Sequence, residues 1–226
     1  GLPHAEVLAL GGAGIDARDG TLVVTLEPCA HHGRTPPCVD AVTSAGIARV
    51  VVGALDPDPR VSGAGIAALR AAGVEVEVGV PGLYAEQVDP GYFHHRRTGR
   101  PLVTLKLAAT LDGQTAAADG TSRWITGEEA RADAHRLRAA SDAVMVGAGT
   151  LRTDDPSLDV RLPGLTGTQP RPVVVAGDRP LPTIRALYAR DPLVYRLGRA
   201  ASPGEVETVD VPDLDAVVKD LGARMV

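Results

Sequence analysis

The sequence predicts an α/β protein built from two successive domains, and three observations carry that prediction. Short β-branched runs alternate with helix-like stretches through the first hundred residues, and a similar alternation restarts after residue 101. Strand–helix–strand alternation at this spacing favours parallel sheets with right-handed crossovers. Hydrophobic residues make up 44% of the chain and charged residues 23%, the balance of a globular protein. The 226 residues correspond to about one and a half domains at roughly 150 residues each.

The first eighty residues are predicted to form one α/β domain. Residues 4–11 are apolar on one side and predict a helix, and residues 21–26 are a β-branched run that predicts a buried strand. Pro36 and Pro37 are suited to begin a helix that runs to residue 45, and Gly46 is suited to end it. The remaining predicted elements are a strand over 48–55, a loop over 56–59, a helix over 65–72 and a strand over 74–80.

Residues 81–100 are predicted to connect this domain to a second one that spans 101–226. The connector holds several prolines and glycines and the basic run 94–97. In the second domain, Thr126 and Glu129 are expected to form a capping box at the start of a helix. The predicted elements there are strands over 102–109, 142–146 and 172–176, helices over 125–139 and 213–221, and a strand that begins at 224–226.

Composition excludes several classes of function. With 23 Lys and Arg against 28 Asp and Glu, the net charge is −5, whereas sequence-independent binding of nucleic acid needs a basic face. No run of about 18 apolar residues is present to span a membrane, and no basic-then-apolar leader opens the sequence. We therefore expect a cytoplasmic protein with neither nucleic acid nor membrane as its partner.

Cys29 and Cys38 are predicted to bind a metal ion together with His4. Disulfides are rare in the cytoplasm, where nearby thiols are more often metal-binding or catalytic. One imidazole and two thiolates form a zinc site with a fourth position for water, and zinc makes hydroxide available near neutral pH. Glu6 is the predicted acid–base residue that carries a proton from water to a leaving amine. Both cysteines lie near predicted helix starts, where the helix dipole favours thiolate.

The residues alone leave other interpretations open. His4 could be a surface histidine, with both cysteines as small core residues. A non-catalytic module stabilised by zinc normally has four protein ligands, whereas three are found here beside a carboxylate. A deaminase acting on nucleic acid should show a basic groove and stacking aromatics, but aromatic residues make up only 3% of the chain.

Two motifs resemble known deaminases. His4-Ala5-Glu6 and Pro28-Cys29 are similar to the H-x-E…P-C-x-x-C signature of zinc-dependent nucleobase deaminases, although eight residues separate the cysteines here. The stretches that carry a closer resemblance are Thr25-Leu26-Glu27-Pro28 and the insert Cys29-Ala30-His31-His32-Gly33-Arg34-Thr35-Pro36-Pro37-Cys38. Both resemble the bifunctional deaminase–reductases of riboflavin biosynthesis.

That resemblance implies a cytidine-deaminase-like three-layer domain that binds Zn²⁺. The implied reaction is hydrolytic deamination of 2,5-diamino-6-(5-phosphoribosylamino)pyrimidin-4(3H)-one, a small phosphorylated pyrimidine. His31, His32 and Arg34 are either part of a pocket wall near this substrate or solvated residues of a surface loop. Their individual roles stay open.

Residues 105–116, 122–127 and 141–161 resemble the reductase half of the same family, which has a dihydrofolate-reductase-like fold. The resemblance implies that NADPH reduces the ribosyl side chain to ribityl. The implied NADPH-binding residues are Ala108, Trp124, Thr150 and Asp154. The implied substrate-binding residues are Ser122, Arg138, Leu158 and Arg161. Lys106 lies near these positions without an assigned role.

The sequence also departs from the family pattern. After Val173-Val174-Val175 the family has an Asp-Ser pair, whereas Ala176-Gly177 stands here. The family's Glu-Gly-Gly-Pro loop is not found in these residues and would follow Val226, so we expect a chain that lacks part of each domain. The family pattern implies a homo-oligomer. The alternative function is a single-function pyrimidine deaminase with an inactive reductase half.

Overall fold

The computed structural model describes residues 2–79, 85–164, 167–183, 185–199, 202, 204 and 206–224. The chain forms two compact units, one of Gly1–Leu102 with Gly222–Val226 and the other of Val103–Leu221. The helices are α1 (Ala5–Ala13), α2 (Cys38–Ser44), α3 (Ala64–Ala71), α4 (Ala85–Val88), α5 (Pro90–Thr98), α6 (Glu128–Ala139), α7 (Ala148–Asp154) and α8 (Leu214–Arg224). The strands are β1 (Thr21–Leu26), β2 (Arg49–Ala54), β3 (Glu75–Val78), β4 (Ala143–Gly147), β5 (Arg171–Ala176), β6 (Leu193–Arg196) and β7 (Thr208–Asp210).

The first unit is built on a parallel sheet in the order β1-β2-β3, which confirms the prediction of an α/β layer. Val50 and Val52 lie on one face of the central strand and are fully buried. They belong to one core cluster with Val42 of α2 and Leu69 of α3. Burial of each such side chain contributes about 1.5–3 kcal/mol, so this cluster holds both helices on the sheet.

The prediction that residues 21–26 form a buried strand is wrong in part. The strand has the predicted bounds, but its burial alternates, and Val23 is 69% exposed while Leu22 is buried. The reason is that β1 lies at the edge of the three-stranded sheet and successive side chains point to opposite faces. The predicted strand over 74–80 ends at Val78, and Val80 lies outside the described residues.

The predicted connector contains two helices, α4 and α5, that the sequence patterns did not indicate. Asp89 caps α5, since its carboxylate accepts the backbone N–H of Tyr92 at 3.0 Å, and Pro90 follows as the first helical residue. Gly99 ends the helix with a φ of 69°, a left-handed conformation that favours glycine. An Asp-Pro-Gly sequence typical of a turn is therefore a helix start here.

Polar contacts attach α5 to the loop after β2. The Tyr92 hydroxyl donates to Asp56 at 2.9 Å, and burial together with this hydrogen bond raises the pKa of Tyr92 to about 12. Arg60 donates to the carboxylate of Asp58 at 2.6 Å, and Arg96 of α5 lies 3.7 Å from the same carboxylate. Asp56 and Asp58 are both buried, so each carboxylate is compensated by donors inside the first unit.

The second unit contains a parallel sheet in the order β4-β5-β6-β7. Its two central strands, β5 and β6, are buried on both faces, because Val174 and Val194 belong to one core cluster and Val173 and Tyr195 to another. The predicted strands over 142–146 and 172–176 are confirmed as β4 and β5, while β6 and β7 were not predicted. The predicted helix over 213–221 is confirmed as α8. This helix continues to Arg224, so the prediction that a strand begins at Arg224 is wrong. Residues 225 and 226 lie outside the described residues.

Two further predictions for the second domain are wrong. Residues 101–110 form no regular strand, and Leu105 and Leu107 are 80% and 71% exposed. A strand needs a hydrogen-bonding neighbour, and among the described residues β4 to β7 pair only with one another. The predicted capping box is also absent, because α6 begins at Glu128 with Gly127 as its N-cap. The backbone carbonyl of Thr126 instead accepts a hydrogen bond from Arg131.

None of the helices traced in the described segments is both long enough and apolar enough to span a lipid bilayer.

We predict that Asp58→Asn makes the stability of the protein less sensitive to acid. Hydrogen bonds from Arg60 hold the pKa of Asp58 well below its ordinary value. A lowered pKa stabilises the fold above about pH 4, and that stabilisation is lost as the pH falls. Urea unfolding between about pH 7 and pH 3 should show a shallower loss of stability in Asp58→Asn than in the unaltered chain. The exposed control Asp16→Asn should follow the unaltered chain, and equal slopes for Asp58→Asn and the unaltered chain would contradict the prediction.

Candidate functional site

Three ligand-type side chains converge from separate elements of the first unit. His4 is the N-cap residue of α1, Cys29 follows β1, and Cys38 is the first residue of α2. Pro37 has extended backbone with a ψ of 137°, which allows Cys38 to begin the helix. The two ends of the intervening loop are tied together, since the carbonyl of Cys29 accepts the backbone N–H of Val39 at 3.2 Å.

The geometry of this triad fits a zinc ion. His4 Nδ1 lies 3.1 Å from the Sγ of Cys38 and 3.7 Å from the Sγ of Cys29. All three ligand atoms lie within 4.8 Å of one another. A tetrahedral zinc with ordinary Zn–N and Zn–S bonds separates nitrogen from sulfur by about 3.6 Å. The predicted ligands His4, Cys29 and Cys38 are therefore placed together, with three protein donors for a metal that takes four.

The two ring nitrogens of His4 have different surroundings. Nδ1 faces both cysteine sulfurs, whereas Nε2 lies 3.3 Å from the hydroxyl of Thr35. A ligating histidine usually holds its second N–H on an oxygen acceptor, which fixes the tautomer and the ring orientation. Thr35 is in the right place for that role. The sequence patterns did not single it out, although its position in the loop between the cysteines is a signal that could have.

Glu6 lies in the first turn of α1, half-buried, next to the triad. Burial raises the pKa of the Cys38 thiol well above its ordinary value, and the neighbouring Glu6 and Cys29 raise it further. The expectation that a helix dipole favours thiolate is therefore wrong at Cys38. Burial and a nearby carboxylate outweigh the dipole at Cys38, and Cys29 does not lie at a helix start. A cation is what would favour thiolate here.

A cavity of about 570 Å³ opens beside Thr35. Arg34 and Thr35 line it from the loop between the cysteines, and Val7 and Ala41 line it from α1 and α2. His31 is half-buried, and its Nδ1 is buried without a hydrogen-bond partner among the described residues. His32 is exposed. The loop therefore places Arg34 at this cavity and also holds, in His31, a buried imidazole nitrogen without a hydrogen-bond partner among the described residues.

The structure also brings together two arginines of the second unit. Arg138 of α6 is half-buried, and desolvation followed by repulsion from Arg161 lowers its pKa. Arg161 donates to the hydroxyl of Ser157 at 2.8 Å and also to Asp159. His135, one turn before Arg138, accepts the backbone N–H of Arg161 at 3.2 Å and was not predicted. Asp159 offsets part of the positive charge of these two guanidinium groups, and together they form a candidate site for a phosphate.

The other predicted residues of the second unit lie on separate segments. Leu158 is buried with a φ of 52°, between Ser157 and Asp159 of the arginine cluster. Trp124 is 70% exposed, and the guanidinium of Arg131 lies 4.3 Å from its ring centroid. The positions of the remaining predicted residues are Ala108 and Lys106 in the unpaired segment 101–110, Ser122 in the loop before α6, and Thr150 and Asp154 on α7.

Each of the two units matches a known protein family. Residues 101–225 match the family model described as RibD C-terminal domain. Residues 1–54 match the cytidine and deoxycytidylate deaminase zinc-binding region. The riboflavin biosynthesis protein RibD of Aquifex aeolicus is 51% identical over 178 residues, which cover 79% of this chain and 49% of that protein. RibD of Escherichia coli is 52% identical over 161 residues, which cover 71% of this chain and 44% of that protein.

Solved structures of RibD proteins are also similar to this chain. RibD of Acinetobacter baumannii superimposes with a TM-score of 0.89 at 38% identity, over 99% of this chain and 65% of that one. A diaminohydroxyphosphoribosylaminopyrimidine deaminase/5-amino-6-(5-phosphoribosylamino)uracil reductase from Thermotoga maritima superimposes with a TM-score of 0.87 at 36% identity, over 99% and 65% of the two chains. The present chain spans about half the length of the curated relatives it matches.

We predict that Thr35→Val lowers the zinc affinity of the chain by about tenfold, because His4 loses the acceptor for its Nε2–H. Competition with a chromophoric chelator measures this affinity directly. Thr35→Ser keeps the hydroxyl and is the matched control, so it should bind zinc like the unaltered chain. Equal affinities for Thr35→Val and Thr35→Ser would show that the hydroxyl does not orient His4.

Proposed function

Because this chain belongs to the RibD family, we propose that it serves riboflavin biosynthesis as a bifunctional enzyme: a zinc hydrolase acting on a cyclic amidine and an NADP-dependent oxidoreductase. The observation that carries the proposal is the triad His4, Cys29 and Cys38 with Glu6 beside it, joined to a second unit that matches the reductase domain. We assign the deaminase to residues 1–80, a connector to 81–100 and the reductase to 101–226. The substrate is a small phosphorylated pyrimidine.

In the deaminase, His4, Cys29 and Cys38 are the three residues that would hold a zinc ion. A zinc ion bound there would supply an activated water for attack on the ring carbon that carries the amino group. Glu6 takes the proton of that water and delivers it to the departing amine, so ammonia leaves. Its half-buried position beside Cys38 places its carboxylate next to the candidate metal ligands.

In the reductase, Arg138 and Arg161 hold the phosphate of the substrate, with Ser122 and Leu158 as further substrate contacts. Ala108, Trp124, Thr150 and Asp154 would hold NADPH, which supplies the hydride. Trp124 is largely exposed beside Arg131, and Thr150 and Asp154 are exposed polar residues on one helix, which are residue types that can contact a nucleotide. The match of residues 101–225 to the RibD C-terminal domain supports the bifunctional assignment over the alternative of a single-function deaminase. The family pattern further suggests a homo-oligomer in the cytoplasm.

We predict that Glu6→Gln keeps zinc bound but slows ammonia release by about 10²–10⁴-fold, because the amide cannot carry the proton. The experiment measures zinc content and ammonia release on the diaminopyrimidine substrate in parallel. Glu75→Gln, an exposed glutamate of β3, is the control that should change neither quantity. Undiminished turnover in Glu6→Gln would refute this mechanism.

We also predict that Arg138→Met weakens binding of ribose 5-phosphate by about tenfold or more, since a charge-assisted contact to phosphate is lost. Titration calorimetry on the chain measures the affinity. Arg136→Met, on the same helix but exposed, should bind like the unaltered chain. If both variants bind equally well, the phosphate lies elsewhere.

A further inference from the structure

A second carboxylate, Glu27, lies near the candidate metal centre and has a different environment from Glu6. It follows β1 directly and precedes Pro28 and Cys29, and only 3% of its surface is exposed. Its backbone N–H donates to the carbonyl of Ala54 at 3.0 Å, which extends the pairing of β1 with β2. A glutamate two residues before a ligand could serve as a proton carrier, just as Glu6 lies two residues after His4.

The hydrogen bonds of Glu27 exclude that use. One carboxylate oxygen, Oε2, accepts the backbone N–H groups of Gly63 at 2.9 Å and Asp56 at 3.4 Å. The other, Oε1, accepts those of Gly65 at 2.9 Å and Ile66 at 3.2 Å. Both oxygens are therefore occupied by donors that cannot give up a proton, and neither is available to a water or a substrate.

These donors belong to the start of α3. Gly63 is the N-cap residue of that helix and makes no capping hydrogen bond with a side chain, since it has none. Glu27 supplies the missing acceptor from a different strand, and its negative charge also suits the positive end of the helix dipole. One buried side chain thus joins the end of β1 to the β2–α3 loop and to the first turn of α3.

The next residues of the chain are fixed by the same contact. A Cβ atom added to Gly65 would lie 1.9 Å from the carbonyl oxygen of Pro28, so the first turn of α3 touches the backbone that leads to Cys29. Cys29 in turn places its Sγ 3.4 Å from the backbone N of Cys38 and 3.7 Å from Nδ1 of His4. The position of this ligand therefore follows from how tightly Glu27 and Gly65 hold Pro28.

We propose that Glu27 is a positioning residue for the metal centre, which sets the place of Cys29 by tying the end of β1 to the start of α3. The proposal rests on the proposed zinc function. It separates the two carboxylates near the metal by role, because Glu6 moves protons and Glu27 holds a ligand in place.

The test compares metal binding in four forms of the chain: unaltered, Glu27→Gln, Gly65→Ala and Val50→Ala. In Glu27→Gln an amide N–H₂ faces backbone N–H donors, and in Gly65→Ala the new methyl group pushes Pro28 away while the charge of Glu27 stays. Both should bind zinc about tenfold or more weakly. Both should also change the cobalt–thiolate absorption of the Co²⁺-substituted chain. Val50→Ala removes core packing away from these contacts and should lower thermal stability without changing zinc affinity or the cobalt spectrum.

Activity at saturating zinc separates positioning from chemistry. Glu27→Gln should then recover ammonia release to within a few-fold of the unaltered chain, whereas Glu6→Gln should not. The proposal is overturned if Glu27→Gln or Gly65→Ala binds zinc with unchanged affinity, if Val50→Ala loses affinity as they do, or if excess zinc restores nothing to Glu27→Gln. Failure of the unaltered chain to bind zinc at all would instead refute the proposed function.

Discussion

The first unit depends on one electrostatic constraint: two thiols, an imidazole and a carboxylate share a small, half-buried space. Burial, Glu6 and Cys29 all disfavour a negative charge on Cys38 in the metal-free chain. A divalent cation reverses that balance, because it stabilises thiolate and makes metal binding release protons. The geometric support for a metal site is that the ligand atoms of His4, Cys29 and Cys38 all lie within 4.8 Å of one another.

The parallel sheet supplies the rigid frame for this site. Pairing of β1 with β2 fixes the backbone up to Leu26, and Glu27 continues that order past the end of the strand. The two nearby carboxylates have different environments. Both oxygens of Glu27 accept hydrogen bonds from backbone N–H groups, whereas Glu6 lies beside the metal ligands. Such a difference in environment is what allows chemically identical side chains to hold different roles in one site.

The sequence predicted the parts that depend on local pattern and on distinctive residue types. The strands over 21–26, 142–146 and 172–176 were predicted because short runs rich in β-branched residues favour strands. The triad was predicted because histidine and cysteine at this spacing are typical of a zinc site. Contacts between distant segments could not be predicted, since nothing in the local sequence says that Thr35 faces His4 or that Glu27 caps α3. The error at 102–109 has the same origin, because strand propensity does not supply a pairing partner. The helix at 90–98 was missed because Asp89-Pro90-Gly91 suits a turn as well as a capped helix start.

Zinc K-edge X-ray absorption on the chain loaded with one equivalent of zinc tests the central claim most directly. A centre formed by His4, Cys29 and Cys38 predicts two sulfur neighbours at about 2.3 Å and two nitrogen or oxygen neighbours at about 2.0–2.1 Å, one of them from water. A first shell of nitrogen and oxygen alone would contradict the account, because it would place the metal away from the two cysteines.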